Sequence, residues 1–566
     1  MSEADTSGSK INPTLNPEDF DDPVTLNPVI GLRFADLLAA GRVVLRQALL
    51  QPNLVVEQMA RYNQELLRIL TGTSELDADP KDRRFIDKAF RENPIFGFSK
   101  KSWLAWRASL NEWVDGNEFE GVDRDRARFI VNLIADALAP TNFLFSNPSA
   151  LRKARQTGGR SLVNGLRNFI GDMLNNHQMP SQVDKTAFTV GGNLANTPGS
   201  VVFRNDLIEL IQYQPTTALV CARPVFIVPP QINKYYLYDL SPEKSMVRYL
   251  VGQGLQVFVI SWRNPQAELR HMGLDAYVAA IEEALRATLE ITGQEDVNAV
   301  GACAGGITLS LALGHFAARG WQPAHSLTLM VNVLRFGDAD SVMSIFTTPA
   351  TIDAARKRSA RLGVLDGYDT AKVFNWMRPN DLIWNYVVSN YLHGEDPPTF
   401  DVLYWNNDCT RLPAQLHADF LDLFDGKSLA RPGSVVVGGT PIDLKQTGFD
   451  VFITGGTTDH ITPWKACYRS VPLFGGKVEF LLSSAGHIQS VLNPPGNPKA
   501  VYWTNDNTPG NPDEWKMGAT QHNVSWWTCW SEWLRARGNG ELPANTTPGS
   551  AVHAALCDAP GTYVFE

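Results

Sequence analysis

The stretch Asn298-Ala299-Val300-Gly301-Ala302-Cys303-Ala304-Gly305-Gly306 decides how the chain is read. It opens within Val297–Val300, a short run of strand type. An apolar run of helical type, Ile307–Ala318, follows. Between them lies Gly-x-Cys-x-Gly, a sharp strand-to-helix turn that lifts one nucleophilic side chain above a sheet, with cysteine where such turns commonly carry serine. The glycines are required because a Cβ beside the nucleophile would strike the strand or the helix. At a helix N-terminus the sulfur meets free N–H groups and the positive end of the dipole, which favour a thiolate. The plainer alternative is a buried structural cysteine beside a tight turn. The strand before it and the helix after it argue against that.

Two further strand ends supply partners. The run Val451–Thr454 leads into Gly455-Gly456-Thr457-Thr458-Asp459-His460, and Lys477–Leu482 leads into Ser483-Ser484-Ala485-Gly486-His487. The chain order is nucleophile, acid, base, with Asp459 and His487 as acid and base. That is the order of the α/β-hydrolase arrangement. His460 adjoins the acid and competes as base, but it does not follow a terminal strand, so His487 is preferred. The oxyanion donors expected for this turn are the Ala304 N–H and one N–H from the loop after Val225–Val228. That loop begins Pro229-Pro230-Gln231-Ile232, and its prolines leave Gln231 or Ile232 as the first usable donor. No GxGxxG, Walker A or HExxH motif is present, so dinucleotide, nucleotide and zinc-protease chemistries lack support. No metal or cofactor is expected.

Working outward, residues 1–28 are polar and rich in Pro, Asn and Asp, and read as a flexible tail. Residues 29–199 read as an N-terminal helical domain. Phe34, Leu37, Leu38, Val44, Leu45 and Ala48 recur at helical spacing, and Val55, Met59, Tyr62, Leu66, Ile69 and Leu70 form a second stripe. Such stripes either pack on a core or dock to an apolar surface. Helices are expected over Lys101–Asp115, Asp123–Leu138 and Leu151–His177, the last with a Thr157-Gly158-Gly159 break. From residue 200 to 566, strand runs alternate with helices, which implies a sheet of parallel strands covered on both faces. Between about residues 335 and 446 the alternation lapses into aromatic-rich sequence containing Phe374, Trp376, Trp384 and Trp405. This segment is expected to be an inserted cap, with Gly337 and Gly363 either as its flexible points or simply as turn residues.

Composition narrows the partners. The 566 residues carry 50 Lys+Arg against 59 Asp+Glu, a net charge of -9, which makes a globally basic nucleic-acid binder an unsuitable reading. Apolar residues at 44% rule out wholesale disorder. The polar N-terminus has no signal-peptide pattern, no apolar run is long enough for a transmembrane helix, and six cysteines without CxxC spacing suit a reducing cytoplasm.

These stretches, with Pro229-Pro230-Gln231-Ile232-Asn233-Lys234-Tyr235-Tyr236, Ser261-Trp262-Arg263-Asn264-Pro265, Arg378-Pro379-Asn380-Asp381-Leu382, Tyr404-Trp405-Asn406-Asn407-Asp408, Asp459-His460-Ile461-Thr462-Pro463-Trp464 and Gly486-His487-Ile488, resemble the polyhydroxyalkanoate synthases. The similarity spans most of residues 80–500. Length, Gln231 and the pair Ala302/Ala304 resemble the class II, medium-chain type. The resemblance implies polymerisation of (R)-3-hydroxyacyl-CoA into storage polyester with release of CoA. It implies Cys303 as the acylated nucleophile, with Asp459 and His487 completing the triad. Partners implied are the growing polyester, a second copy of the chain in a homodimer, the polyester granule surface and granule-associated proteins, with a cytoplasmic location at that surface. Ala302, Trp376, Trp405 and Gln489 are candidate substrate-pocket residues, although both alanines also suit elbow packing alone. Two other readings use the same motifs: a Cys-dependent hydrolase or thioesterase, and a non-catalytic granule-coating protein.

Overall fold

The computed structural model describes residues 25–27, 32–33, 45–119, 123–335, 348–424, 426 and 428–566. Its centre is a sheet built from β1 (Gly199–Arg204), β2 (Ile208–Tyr213), β3 (Val225–Val228), β4 (Val257–Trp262), β5 (Val297–Ala302), β6 (Ala324–Met330), β7 (Asp450–Gly456) and β8 (Val478–Ser483). Two short strands, β9 (Tyr502–Thr504) and β10 (Thr520–His522), extend one edge, and β11 (Cys557–Asp558) pairs with β1 at the other. The order is β10-β9-β8-β7-β6-β5-β3-β4-β2-β1-β11. Strands β3 to β8 run parallel to their neighbours, whereas β1, β2 and the edge strands are antiparallel. The fold is the α/β-hydrolase fold, and its all-parallel expectation fails only at the margins. Strands β2 to β5 are buried at every position, which explains why they read as unbroken apolar runs rather than alternating ones.

Helices cover both faces. Leu274–Thr292 and Cys303–Ala318 pack on one. Met246–Gly252 and Trp526–Arg535 pack on the other, where Trp526, Trp527, Trp530 and Trp533 are all buried. Helix Cys303–Ala318 is apolar all round, as a helix enclosed between a sheet and further layers must be.

Ahead of the sheet lie the helices Pro52–Thr71, Pro94–Gly116, Asp123–Ala137, Pro148–Gln156 and Arg160–Asn175. The Thr157-Gly158-Gly159 break separates the last two. Of the expected tail and first helix, the described parts are Thr25–Asn27, which pairs with Leu32–Arg33, and the helical residues from 45 onward. No helix among the described residues is long and apolar enough to cross a membrane.

Between β6 and β7 the chain leaves the sheet, as the lapse in alternation implied. Helices Pro349–Leu362, Gly367–Met377, Asp401–Asn407 and Ala414–Phe424 flank two π-helical stretches, Asn380–Trp384 and Val387–Leu392. Gly337 lies outside the described residues. Gly363 has φ +84° and ends the helix Pro349–Leu362, its N–H donating to Ser359 O at 2.8 Å.

The inserted segment is bound to the N-terminal helices by polar contacts. Arg84 Nη1 donates to Asn380 Oδ1 at 3.0 Å, Tyr391 OH to Asp172 Oδ2 at 2.8 Å, and Gln182 Nε2 to Leu382 O at 2.6 Å. Backbones also approach closely: a Cβ on Gly165 would stand 1.9 Å from Tyr391 O. Alanine is better than glycine inside a helix by roughly 1 kcal/mol. Here overpacking, at about 1–3 kcal/mol, outweighs that gain. Gly165→Ala is therefore expected to lower the thermal midpoint by several degrees, read by circular dichroism; an unchanged or raised midpoint would disprove the close packing.

Candidate active site

Strand β5 ends at Ala302, and Cys303 opens the following helix with φ +46°, a left-handed conformation that costs a non-glycine residue about 1–2 kcal/mol. The turn is tolerated because Gly301 and Gly305, two residues away on either side, lack side chains. A Cβ on Gly301 would lie 2.7 Å from Gly306 Cα, and one on Gly305 would lie 2.3 Å from Pro229 O. The helix thus rests directly on the Pro229-Pro230 loop. Asn332, after β6, donates from Nδ2 to Cys303 O at 2.6 Å and fastens the elbow from its other side.

Asp459 follows β7 and His487 follows β8, neighbours in the sheet. Asp459 Oδ2 is 2.7 Å from His487 Nδ1, with the carboxylate side chain fully buried and the imidazole 10% exposed. The other carboxylate oxygen accepts from the N–H groups of Ile461 and Thr462, both at 2.9 Å, and Thr462 Oγ1 donates to Oδ2 at 2.7 Å. Cys303 lies close enough to His487 to act on the charge of its imidazole. The structure therefore brings Cys303, His487 and Asp459 together.

The electrostatics follow from this geometry. Burial opposes a charged imidazole, but the Asp459 carboxylate and the Cys303 sulfur outweigh it and raise the His487 pKa to about 10. Burial likewise opposes the Asp459 carboxylate; His487 and the Thr462 donors overcome it and hold its pKa below the usual carboxylate range. The competing base His460 is driven the other way, down to about 4, by burial and then by the Arg378 guanidinium. It stays neutral and its buried Nδ1 has no hydrogen-bond partner, which separates the two histidines on physical grounds.

The remaining sequence candidates fall around this set. Ala302 and Ala304 are buried on either side of Cys303. Gln231 is buried, its carbonyl accepting from Thr410 Oγ1 at 2.7 Å and its side chain donating to Thr308 Oγ1 at 2.9 Å, while Ile232 is half-buried. Trp405 is 2% exposed, with Nε1 donating to Lys234 O at 2.7 Å. Trp376 is half-buried, and Gln489, two residues after His487, is exposed.

Three supporting features escaped the sequence. Thr462 and Asn332 act through hydrogen bonds that no spacing reveals. The third is the tryptophan-rich helix Trp526–Arg535: Trp526 Nε1 donates to Ser490 O at 2.7 Å and Trp527 Nε1 to Val491 O at 2.9 Å. Both carbonyls belong to the short helix His487–Val491, so these indoles anchor the element that carries the base. The paired Trp526-Trp527 at the start of an amphipathic run was the available signal.

A family profile described as the N-terminus of poly-beta-hydroxybutyrate polymerase (PhaC) matches residues 81–250, and an alpha/beta hydrolase fold profile matches residues 224–494. Poly(3-hydroxyalkanoate) polymerase 1 of Ectopseudomonas oleovorans is 49% identical over 99% of this chain and 100% of its own length. Poly(3-hydroxyalkanoate) polymerase 2 of the same organism is 46% identical over 95% of this chain and 96% of its own. The poly(3-hydroxyalkanoate) polymerase subunit PhaC of Cupriavidus necator is 41% identical over 87% of this chain and 84% of its own. With an elbow cysteine, a buried Asp–His pair and near-complete alignment to these acyltransferases, the chain belongs to the poly(3-hydroxyalkanoate) polymerase family.

Proposed function

We propose that the chain polymerises (R)-3-hydroxyacyl-CoA through a covalent acyl-Cys303 intermediate, with Asp459 and His487 completing a triad. The observation that carries this reading is the 2.7 Å Asp459–His487 contact, with the elbow cysteine close enough to the same imidazole to raise its pKa. His487, with its raised pKa, already holds the thiol proton, and Cys303 Sγ attacks the thioester carbonyl carbon as the thiolate. The oxyanion is received by the N–H of Ala304 and of Gln231 or Ile232. The bond to the CoA sulfur breaks, and His487 returns the proton to that sulfur. In elongation His487 accepts the proton of a 3-hydroxyl, whose oxygen attacks the acyl-thioester, and the bond to Cys303 breaks. Exchange of one thioester for another keeps the acyl group activated for this second attack.

The division at residues 199 and 200, where β1 begins, separates the N-terminal helical domain from the catalytic domain, and the insertion between β6 and β7 serves as its cap. A homodimer at the surface of a cytoplasmic polyester granule, in contact with granule-associated proteins, is the setting proposed for the reaction. The deciding experiment is incubation with 3-hydroxyacyl-CoA esters, following free CoA and product together. Polymer with CoA release is expected; free hydroxy acid would indicate a thioesterase, and no CoA release a coating protein.

Chain length follows from burial. The class II resemblance and the small Ala302 and Ala304 beside the sulfur suit long acyl chains, each added CH₂ gaining about 0.8 kcal/mol until the pocket is full. A ten-carbon substrate is expected to exceed a four-carbon one in kcat/KM by at least about tenfold. A four-carbon preference would remove the medium-chain assignment alone.

A further inference from the structure

Lys234 lies three residues beyond Gln231, in the loop assigned above to the oxyanion, and is 4% exposed. Its ammonium donates to Glu566 O at 2.8 Å and to Tyr563 O at 3.4 Å. Its own carbonyl accepts from Trp405 Nε1. One residue of the loop is thus gripped through its side chain from one direction and through its backbone from another.

The partner of the side chain is itself rigidly held. The turn Tyr563–Phe565 is fixed at its start by Glu209, a fully buried carboxylate on β2. Glu209 Oε2 accepts from the N–H groups of Thr562 at 2.8 Å and Tyr563 at 3.0 Å, and Oε1 accepts from Thr562 Oγ1 at 2.7 Å. Beyond the turn, Asn264 Nδ2 donates to Glu566 O at 3.1 Å, and Arg263 Nε to Glu566 Oε2 at 2.9 Å. A continuous polar path therefore runs from β2 through the turn to Lys234 and the Pro229-Pro230 loop.

Energetics say why this matters. A buried ammonium costs several kcal/mol unless its donors are satisfied, and an apolar side chain of the same size would fill the space without that cost. What the ammonium supplies and an apolar chain cannot is direction: two hydrogen bonds that set where the loop stands. Oxyanion donors must lie about 2.7–3.1 Å from the developing charge. A displacement of about 1 Å costs on the order of 100-fold in rate.

We infer that Lys234 is a positioning residue of the polymerase reaction, which ties the Gln231–Lys234 loop to the turn Tyr563–Phe565 and so holds the Gln231 and Ile232 N–H groups where the oxyanion forms. This rests on the acyl-Cys303 reading given above. Lys234 touches neither substrate nor sulfur; it acts through the loop.

The test compares Lys234→Met with Glu209→Gln in the full-length chain, using a ten-carbon 3-hydroxyacyl-CoA. Lys234→Met is expected to lower kcat by about 10- to 100-fold with KM within about threefold, because the substrate still binds while its oxyanion is poorly met. Glu209→Gln, which loosens the turn at its far anchor, is expected to lower kcat by about three- to tenfold in the same pattern, and the double variant to lose less than the product of the two. A merely structural role would lower the melting temperature and leave kcat untouched well below it. Folded Lys234→Met with kcat within twofold of wild type, or a loss confined to KM, overturns the inference. If Lys234→Met does not fold, Glu209→Gln decides by the same criterion. Cys303→Ala run alongside keeps the two levels apart: CoA release by that variant sinks the acyl-Cys303 reading, whereas an inert Cys303→Ala beside an unimpaired Lys234→Met sinks only the role of Lys234.

Discussion

Cys303→Ala is expected to abolish CoA release, by at least about 1,000-fold, while the protein keeps its fold. Three physical points converge on this size of effect. The sulfur is the atom that attacks, so its loss removes a covalent step rather than a contact. No neighbouring thiol can replace it, because burial holds the thiol pKa values of Cys221, Cys409, Cys467, Cys529 and Cys557 above their ordinary value, that of Cys409 at about 12. The fold does not depend on the sulfur: alanine meets the same cost of the positive φ at this position, and the glycines and Asn332 that shape the turn are untouched. Cys303→Ser is expected to retain only a trace, since an alcohol attacks a thioester poorly and its oxoester is less activated for elongation. The measurement is free CoA release together with mass spectrometry of the acylated protein. Substantial turnover by a pure, folded Cys303→Ala protein would refute the assignment of the nucleophile.

Why this site was legible while others were not can be put in terms of residues. The elbow is a local event: a strand, three glycines and a cysteine within ten positions. Steric necessity writes such a turn directly into the sequence. Asp459 and His487 were legible because each follows a strand end, and the order of strands fixes their meeting above adjacent β7 and β8. The strand runs were legible because buried parallel strands must be apolar throughout. Support contacts are a different matter. The Asn332 bond to Cys303 O and the Trp526 and Trp527 bonds to the His487 helix join segments 29 to 36 residues apart through single atoms. No periodicity reports them. The two π-helical stretches of the insertion were hidden for a related reason. The second of them, Val387–Leu392, packs against the helix Arg160–Asn175, more than 200 residues away, a contact that no local propensity reports. Trp405 shows the limit of reading composition: an aromatic residue in an aromatic-rich insertion suggests a pocket wall, yet its indole N–H is committed to the carbonyl of Lys234.

His487→Gln is expected to lose acylation by at least about 100-fold, the lower range for removal of a general base, because glutamine cannot accept the thiol proton. Asp459→Asn divides two roles for the acid. In one, the carboxylate orients His487; in the other, it helps deprotonate the 3-hydroxyl. The geometry favours orientation, since one oxygen is taken by the N–H groups of Ile461 and Thr462 and the other by Thr462 Oγ1 and His487 Nδ1. An asparagine that keeps its oxygen on the two backbone donors turns its NH₂ toward Nδ1. That stabilises the tautomer with the proton on the wrong nitrogen, so acylation and elongation should both slow by about 100-fold or more. Wild-type acylation with elongation lost would assign Asp459 to the hydroxyl instead, and wild-type rates in both would remove both roles. A titration gives an independent reading. In the wild type the His487 pKa lies near 10, above the roughly 6.5 of an unfolded histidine. The pair therefore contributes stability that is complete below about pH 6.5 and lost as pH rises toward 10. With asparagine at 459 the attraction disappears while burial remains, so the His487 pKa should fall sharply by NMR. The decline in melting temperature between pH 6.5 and 10 should flatten relative to wild type. An unchanged His487 titration in Asp459→Asn would mean that the imidazolium is held by Cys303 alone.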